Sequence, residues 1–348
     1  MTKTLLLVTI LLISIGLKGH AQDIHFSQFW NSPLLQNPSF AGKIDGEMRA
    51  IINHRSQWGG VTSNPYKTFG AHFDMRFDQS SKDNYFAGGI TMYTDVAGAS
   101  KMRTTMANLT ATYHLKINDR SYISAGLQGG INQKNINEDD LRFDNQFDGF
   151  GHNPGLNSNE DLTSLSELKP SVSAGISYMW SNHFKRTTAS RGGKKKSLNI
   201  GLAVHHLNSP NYQFSNPEKL GFKYIANFEA TFKINSRLTI QPATFLGLQN
   251  QATDFVFGSL FNYALKKASH ITNYNQSASI GFGGYFRYGD AVIPTVQIQW
   301  ASFELGLSYD VNLSQLTQAS NGRGGFEISL KYIPQRSAHG RRSSASSF

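Results

Sequence analysis

The chain repeats one simple pattern between about residue 48 and residue 333, where fourteen stretches alternate apolar side chains with polar or small ones. In residues 221–233 one set of alternate positions is aromatic or alanine and the other is polar, with Ile225 as the exception. A side-chain period of two predicts β-strands that have one apolar and one polar face. The predicted strands are 48–55, 67–77, 84–95, 103–116, 121–131, 170–180, 197–207, 221–233, 237–248, 253–265, 276–288, 291–299, 303–310 and 325–333.

Two architectures have strands of this kind. A soluble sandwich turns the polar faces to water, whereas an outer-membrane barrel turns the apolar faces to lipid and lines its bore with the polar ones. Aromatic residues lie near both ends of several apolar faces, for example at Phe222 and Phe232. Ten steps of ~3.3 Å at a tilt of ~40° give ~25 Å, the height of a membrane barrel's apolar band. We therefore predict an all-β fold, a transmembrane antiparallel β-barrel of about 14 strands with both termini in the periplasm.

The first 21 residues have the features of a cleavable signal peptide. Lys3 precedes the apolar run Leu5–Leu17, and Gly19-His20-Ala21 provides a small-x-small cleavage site. No other segment approaches 18 apolar residues, so we expect no transmembrane helix. The chain has no Cys, which excludes a lipoprotein anchor at the cleavage site and a disulfide framework. These features predict export and localisation in the outer membrane of a diderm bacterium.

The rest of the chain divides into 22–47, the barrel 48–333 and a flexible tail 334–348 that is rich in Ser and Arg. Even strand spacing without a linker favours one barrel over two sandwiches. Residues 22–47 are too apolar for a free tail, because they include Phe26, Phe29, Trp30, Leu34, Leu35 and Phe40. Pro33 and Pro38 disfavour a long helix. We predict a compact segment in the periplasmic mouth of the barrel that acts as a plug or a docking face.

The formal net charge of +10 raises the question of nucleic acid. The basic residues are not interleaved with stacking aromatics as in nucleic-acid modules, so we expect no such partner. The charges are instead segregated, with a net +6 in 181–196 and a net −5 in 132–169. Loop parity predicts a periplasmic 181–196 and an extracellular 132–169. The basic connection either docks an acidic periplasmic partner or is a flexible turn that collects charge, and both interpretations stay open.

Residues with catalytic or metal-binding chemistry are few. By strand alternation, the side chains of His205 and His206 should point to opposite faces and share no metal. The acids Asp74, Glu229, Glu304 and Glu327 alternate with Arg and Lys on polar faces, which predicts ion pairs in a wet bore rather than a hydrolase site. The run from Asp139-Asp140 to Asp161 offers calcium ligands without EF-hand spacing, so a solvated loop is the simpler interpretation. We expect no enzyme, no cofactor and no metal site.

Three segments, His25–Gly42, Gln57–Asp74 and Gly306–Ile333, resemble the PorP/SprF family of outer-membrane proteins of the type IX secretion system. The likeness covers essentially the whole chain after the predicted signal peptide. It implies a component of secretion and cell-surface attachment rather than an enzyme. Family members resembling SprF are associated with large adhesins, including those used in gliding. The resemblance leaves open whether this chain is PorP-like or cargo-specific.

The resemblance suggests a barrel that anchors partners. The N-terminal segment and the basic connection would contact secretion proteins, and loops 132–169 and 311–324 would hold the emerging cargo domain. The candidate partner-binding residues are Phe26, Phe29, Trp30, Asn37, Pro38, Lys185, Arg186, Lys194, Lys195, Lys196, Asp139, Asp140, Asp144, Asp310 and Asn312. The main alternative is a 14-stranded transport barrel for hydrophobic small molecules, with an apolar cavity beneath a movable N-terminal segment. A soluble exported β-protein is a third hypothesis.

Overall fold

Fourteen antiparallel strands close into a barrel in the computed structural model, and the last strand pairs with the first. The structure describes residues 24–77, 84–98, 100–136, 141–159, 166–182, 196–212, 218–266, 277–314 and 317–334. The barrel strands are β1 (Met48–Gln57), β2 (Tyr66–Arg76), β3 (Tyr85–Ala97), β4 (Met102–Asn118), β5 (Ser121–Asn135), β6 (Ser166–Ser181), β7 (Lys196–His205), β10 (Lys223–Lys233), β11 (Leu238–Gln249), β12 (Ala252–Lys266), β13 (Ala278–Arg287), β14 (Ala291–Trp300), β15 (Phe303–Asn312) and β16 (Arg323–Tyr332). The short strands β8 (Asn211–Tyr212) and β9 (Glu218–Lys219) form a hairpin between β7 and β10. The predicted signal peptide and residues 335–348 of the tail lie outside the described residues.

Each of the fourteen predicted strands corresponds to one barrel strand, so the predicted fold class is confirmed. The main differences are at the ends of β5 and β6, which reach Asn135 and Ser166 and pair along their whole length. Residues 132–135 and 166–169 were predicted as loop. Alternating hydrophobicity ends where the surroundings become aqueous, but the backbone hydrogen-bond ladder can continue into water. The sequence pattern therefore underestimates the length of these strands.

The two faces of the wall differ as the barrel interpretation predicts. Outward side chains such as Phe73 and Phe228 are each 38% exposed, whereas the inward Asp74 is 0% exposed. Large exposed apolar side chains occur on all fourteen barrel strands, including Leu109 and Leu127. A sandwich would bury these side chains between its sheets. In the part of the chain described here, no helix is both long and apolar enough to span a bilayer.

The two ends of the barrel carry different connections. The end at which β1 finishes bears the connections 58–65, 98–101, 136–165, 206–222, 250–251, 288–290 and 313–322, and we call it the long-loop end. The opposite, short-turn end includes the tight turns 119–120, 234–237 and 301–302, and β1 begins there. Two connections at the short-turn end, 182–195 and 267–277, are longer than parity predicts, and most of their residues lie outside the described ranges.

The N-terminal segment, residues 24–47, lies inside the bore. It forms three short helical turns, Phe29–Asn31, Pro33–Gln36 and Pro38–Phe40. Each proline occupies the first position of its turn, where a missing N–H costs nothing and the fixed φ is favourable. The segment was predicted as a compact element at the barrel mouth. The structure instead extends it along the bore, from Phe26 beside Tyr93 near the long-loop end to Ile44 near the short-turn end. The described chain therefore begins toward the long-loop end, and only its C-terminal strand β16 finishes at the short-turn end, where both termini were predicted to lie.

Candidate functional site

Two carboxylates hold the beginning of the N-terminal segment. Glu327 accepts hydrogen bonds from the backbone N–H groups of Ser27 at 2.6 Å and Gln28 at 3.0 Å. Asp310 accepts a hydrogen bond from the Ser27 hydroxyl at 2.8 Å. Both carboxylates lie on inward faces, Glu327 on β16 and Asp310 on β15. Backbone groups that would otherwise be unsatisfied in the bore are thus paired with charged acceptors.

A buried ion cluster extends this contact to the rest of the wall. Arg55 and Arg287 both bond the Asp310 carboxylate, at 2.9 and 3.0 Å. Arg55 also donates to the carbonyl of His25 at 2.8 Å, and Arg287 donates to the Ser27 hydroxyl at 3.1 Å. Asp310 is only 2% exposed. The cluster therefore ties the segment to β1, β13 and β15 with charge-assisted hydrogen bonds.

An aromatic cluster fills the next part of the bore. The Phe29 ring lies 5.7 Å from the rings of Phe245 and Tyr285, and Trp30 stacks on Tyr285 with the ring centroids 4.4 Å apart. Ile225 belongs to the same buried cluster. This contact explains why Ile225 breaks the polar alternation of its strand. An apolar inward residue is stable there because it meets the apolar side of the N-terminal segment rather than water.

A glycine patch carries the middle of the segment. Gly126, Gly175 and Gly201 face inward on the adjacent strands β5, β6 and β7. A side chain at Gly175 would collide with the Asn37 amide, and one at Gly126 would collide with the backbone of Pro38. The missing side chains let the segment approach the wall at backbone distance. The alternation of apolar and polar side chains does not single out these glycines, although inward glycines in three adjacent strands are a signal of close approach.

Asn37 fixes the segment on this patch. Its side-chain amide donates to the backbone carbonyls of Ile176 and Leu202, each at 3.2 Å. Its side-chain oxygen caps the following turn by accepting from the Ser39 N–H at 2.9 Å. The Thr112 hydroxyl donates to the Pro38 carbonyl at 2.7 Å. The Asn37-Pro38 dipeptide is therefore a structural contact between segment and wall.

Charged residues also hold the end of the segment. Asp74 accepts from the Gly42 N–H at 2.7 Å and pairs with Arg49 at 2.9 Å, which confirms one of the predicted bore ion pairs. Arg76 donates to the carbonyls of Gly42, at 2.7 Å, and of Ile44. Because Arg49, Asp74 and Arg76 belong to β1 and β2, the segment is held close to the strand that it enters.

Other predicted ion pairs involve the segment rather than the wall alone. Lys331 and Glu304 pair within the wall at 2.5 Å, as expected. Glu229 instead pairs with Lys43 of the segment, and Glu327 bonds the segment's backbone as described above. Strand alternation placed these acids correctly on inward faces. It had no means of showing that another part of the chain fills the bore and supplies their partners.

The prediction that His205 and His206 point to opposite faces is wrong. β7 ends at His205, and His206 has a positive φ of 59°, so strand alternation no longer applies. Both rings are buried, with His205 Nε2 at 3.2 Å from the Gln36 carbonyl and His206 Nδ1 at 2.9 Å from the Ser171 hydroxyl. Among the described residues, no group of three or more His, Cys, Asp and Glu side chains could hold a metal ion.

The candidate partner-binding residues fall into three groups. Phe26, Phe29, Asn37, Pro38, Asp310 and Asn312 are buried and Trp30 is half-buried, all within the barrel. Lys196 and Asp144 are exposed. Lys185, Arg186, Lys194, Lys195, Asp139 and Asp140 lie outside the described residues. The buried residues hold the N-terminal segment or the long-loop end in place, and their binding of a partner stays a prediction.

The connection 136–165 between β5 and β6 is the acidic loop, and its described part is residues 141–159. Hydrogen bonds within the loop hold this part in a turn. The Asp148 carboxylate accepts the N–H groups of Phe150 and Gly151, each at 3.0 Å, and this lowers its pKa below the ordinary value. The N–H of Asn153 donates to the Gln146 carbonyl at 2.7 Å. Phe150 is 100% exposed at the tip. The loop therefore presents an aromatic side chain on an ordered turn at the long-loop end.

The closed topology, the apolar outer face and the filled polar bore define an outer-membrane β-barrel. The sequence profile of one family, described as "Type IX secretion system membrane protein PorP/SprF", matches residues 18–332. The chain belongs to this family, and the resemblance noted from the sequence is confirmed. A search of curated proteins finds no match.

Solved structures that resemble the chain are also barrels. A FadL homologue from Pseudomonas aeruginosa has 10% identity and a TM-score of 0.45, with 88% of this chain and 94% of that chain covered. The toluene transporter TodX from Pseudomonas putida has 8% identity and a TM-score of 0.44, with 92% and 96% covered. CdiB from Acinetobacter baumannii has 6% identity and a TM-score of 0.40, with 82% and 60% covered. We draw no functional argument from likenesses at this level.

Proposed function

We propose that this chain is a non-enzymatic outer-membrane component of type IX secretion that anchors partners and assists the export and surface attachment of an adhesin-like cargo protein. Its membership of the PorP/SprF family supports a role in secretion. We further infer that the two ends of the barrel have different partners. The short-turn end faces the periplasmic machinery, and the long-loop end faces the emerging cargo.

The filled bore is the observation that carries the anchor role. The N-terminal segment contacts the wall through the ion cluster at Asp310, the aromatic cluster at Phe29, the glycine patch at Asn37 and the charged pair at Asp74. A polypeptide in transit would have to displace all four contacts. We therefore expect the cargo to cross the membrane through another protein, while this barrel provides a fixed point on either side.

Two surfaces fit the partners by charge and position. The basic connection 181–196 lies at the short-turn end and would attract an acidic periplasmic protein. The acidic loop 136–165 and the connection 313–322 lie at the long-loop end and would hold the cargo domain. If the charged contact is exposed to solvent, salt should weaken it.

A transport barrel for hydrophobic small molecules is the second candidate. It requires an apolar cavity in the bore beneath a movable N-terminal segment. One cavity of about 20 Å³ in the bore is lined mainly by polar groups, among them Asn108, Gln128 and Ser173, and has room for about one water molecule. A larger space of about 390 Å³ lies at the short-turn end, where charged side chains of Asp45, Glu304 and Lys331 line it. Side chains of Phe29, Phe245 and Tyr285 occupy the apolar part of the bore. These observations favour the anchor over the transporter.

The decisive test is affinity purification of the tagged full chain from detergent-solubilised outer membrane. We expect type IX secretion proteins to copurify at low salt. A variant in which Lys185, Arg186, Arg191, Lys194, Lys195 and Lys196 become Gln should lose its periplasmic partners. The matched control replaces three basic residues in or next to the acidic loop, Arg142 in the loop, Lys134 in β5 and Lys169 in β6, and should keep the periplasmic partners. Copurification of no secretion protein, together with a growth defect on a lipid-like nutrient in the deletion strain, would favour the transporter.

A further inference from the structure

An apolar groove lies on the outer surface of the wall. The inner surface of the same part of the wall carries the Asn37-Pro38 contact. The volume of the groove is about 850 Å³, and no charged side chain lines it. The outward side chains that line it include Phe86, Tyr113, Leu127, Ile176, Leu202 and Leu248. Ala125 and Ala174 are the small outward residues at its centre, on β5 and β6. A barrel wall is normally convex toward lipid, so a concave apolar region needs an explanation.

The pairing of the strands shows that the groove is elongated. Ala111 pairs with Leu127, Leu127 with Ala174, Ala174 with Val204 and Val204 with Tyr224. This row of outward residues crosses five neighbouring strands, β4, β5, β6, β7 and β10. At ~4.8 Å between strands, it extends for ~19 Å along the wall. The row begins with a small, a large and a small side chain, at Ala111, Leu127 and Ala174. The space above the small side chains has the width of a single extended chain.

The groove and the glycine patch are the two sides of one region of the wall. Gly126 and Gly175 line the groove. On the inner side, the same two glycines meet Pro38 and Asn37 of the N-terminal segment. Neither glycine has a side chain to thicken the wall, so a single layer of backbone separates the groove from the segment. A molecule in the groove would therefore support the surface on which the segment rests.

We propose that this groove binds an acyl chain of an outer-membrane phospholipid. The chain belongs to a family of membrane proteins, and the groove lies on the apolar face that meets the hydrocarbon. An unfilled groove would lose the dispersion contacts of its lining. A membrane protein partner gains no hydrophobic force in lipid and relies on small residues or hydrogen bonds for close packing. The lining is almost wholly hydrocarbon and has no charged side chain, so it offers a protein partner few hydrogen bonds and offers an acyl chain a continuous apolar surface.

Native mass spectrometry tests the proposal on the purified full chain, with a phosphatidylethanolamine that carries two palmitoyl chains as the probe. We expect the wild type to retain one lipid under conditions that strip the detergent. Ala174→Trp places an indole ring in the groove and should lower the retained fraction at least about tenfold. The matched control, Val296→Trp, alters the outward face of β14 on the far side of the barrel and should retain the lipid as the wild type does.

Folding of each variant is checked by its heat-dependent shift in gel mobility. If Ala174→Trp does not fold, the smaller change Ala125→Leu serves in its place. Equal retention by the groove variant, or a wild type that retains no lipid, would overturn the proposal. So would a photoreactive residue at Leu127 that crosslinks in intact outer membrane to a protein and not to phospholipid. Because binding is measured on purified protein, the result does not depend on the proposed secretion role.

Discussion

At the level of single residues, exceptions to the alternation mark contacts with the N-terminal segment. Ile225, Phe245 and Tyr285 are apolar but face inward, and all three pack in the cluster around Phe29. The glycine patch is the second kind of exception, where a missing side chain admits the backbone of the segment. Both kinds are visible in the sequence. Only the structure shows that they surround the same segment.

The glycine patch predicts a specific effect of added volume. Gly175→Val would drive a side chain into the Asn37 amide and should displace the segment, with an overpacking cost of about 1–3 kcal/mol. The measurement is the rate at which a protease cleaves the segment in the folded, detergent-solubilised protein. Gly129→Val is the control on a neighbouring strand, because a side chain there has no atom within 4 Å. Equal cleavage rates in the two variants would contradict the role of the patch.

The buried ion cluster predicts a large effect of one lost charge. Asp310→Asn leaves the guanidinium groups of Arg55 and Arg287 without their shared carboxylate and should destabilise the folded protein by about 3–5 kcal/mol. Asp119→Asn is the control, since Asp119 is 55% exposed in its pair with Lys116 and should cost less than ~1 kcal/mol. Urea unfolding in detergent measures both. A cost for Asp310→Asn as small as that of the control would show that the cluster does not stabilise the segment.

At the level of elements, the N-terminal segment and the wall satisfy each other's polar groups. The backbone N–H groups of Ser27 and Gly42 are bonded by Glu327 and Asp74 of the wall. Apolar content and two prolines were enough to predict a compact segment. They did not reveal its position along the bore, since that depends on carboxylates that are up to 300 residues away in the chain.

Removal of the segment should open the bore. A chain that lacks residues 24–44 but retains the fourteen strands should still insert, because strand pairing is complete without the segment. It should conduct ions across a planar bilayer, as a polar bore filled with water does. The wild type should conduct far less under the same conditions. A variant that inserts and conducts no more than the wild type would show that other parts of the chain close the bore.

Removal of the acidic loop should separate anchoring from folding. Deletion of 137–165 takes away the ordered turn around Asp148 and most of the acidic residues, but it leaves the membrane-spanning parts of β5 and β6 paired. We expect normal insertion in the outer membrane and loss of surface-retained cargo, measured by labelling of intact cells. Shortening the loop 58–65, at the same end of the barrel, provides the control. Normal cargo display in the 137–165 deletion would contradict the loop assignment.

At the level of the whole molecule, the barrel interpretation rests on which face meets lipid. Spin labels at Phe73, Phe228 and Leu305 should be reached by a lipid-soluble relaxation agent such as oxygen. Labels at Asp74 and Glu229 should be shielded from it, because those side chains face the bore. Electron paramagnetic resonance in reconstituted vesicles makes the measurement. The opposite accessibility would invert the faces and exclude a membrane-spanning barrel.

The sequence by itself determined the strands, their number and the two faces of each, because a period of two is a local property of consecutive side chains. It also determined the family, since the matching segments run along nearly the whole chain. Only the tertiary structure decided where the N-terminal segment lies and which residues hold it. The physical reason is that closure brings β1 beside β16 and places distant carboxylates, arginines and glycines around one bore. Such contacts depend on three-dimensional neighbours, and no local pattern encodes them.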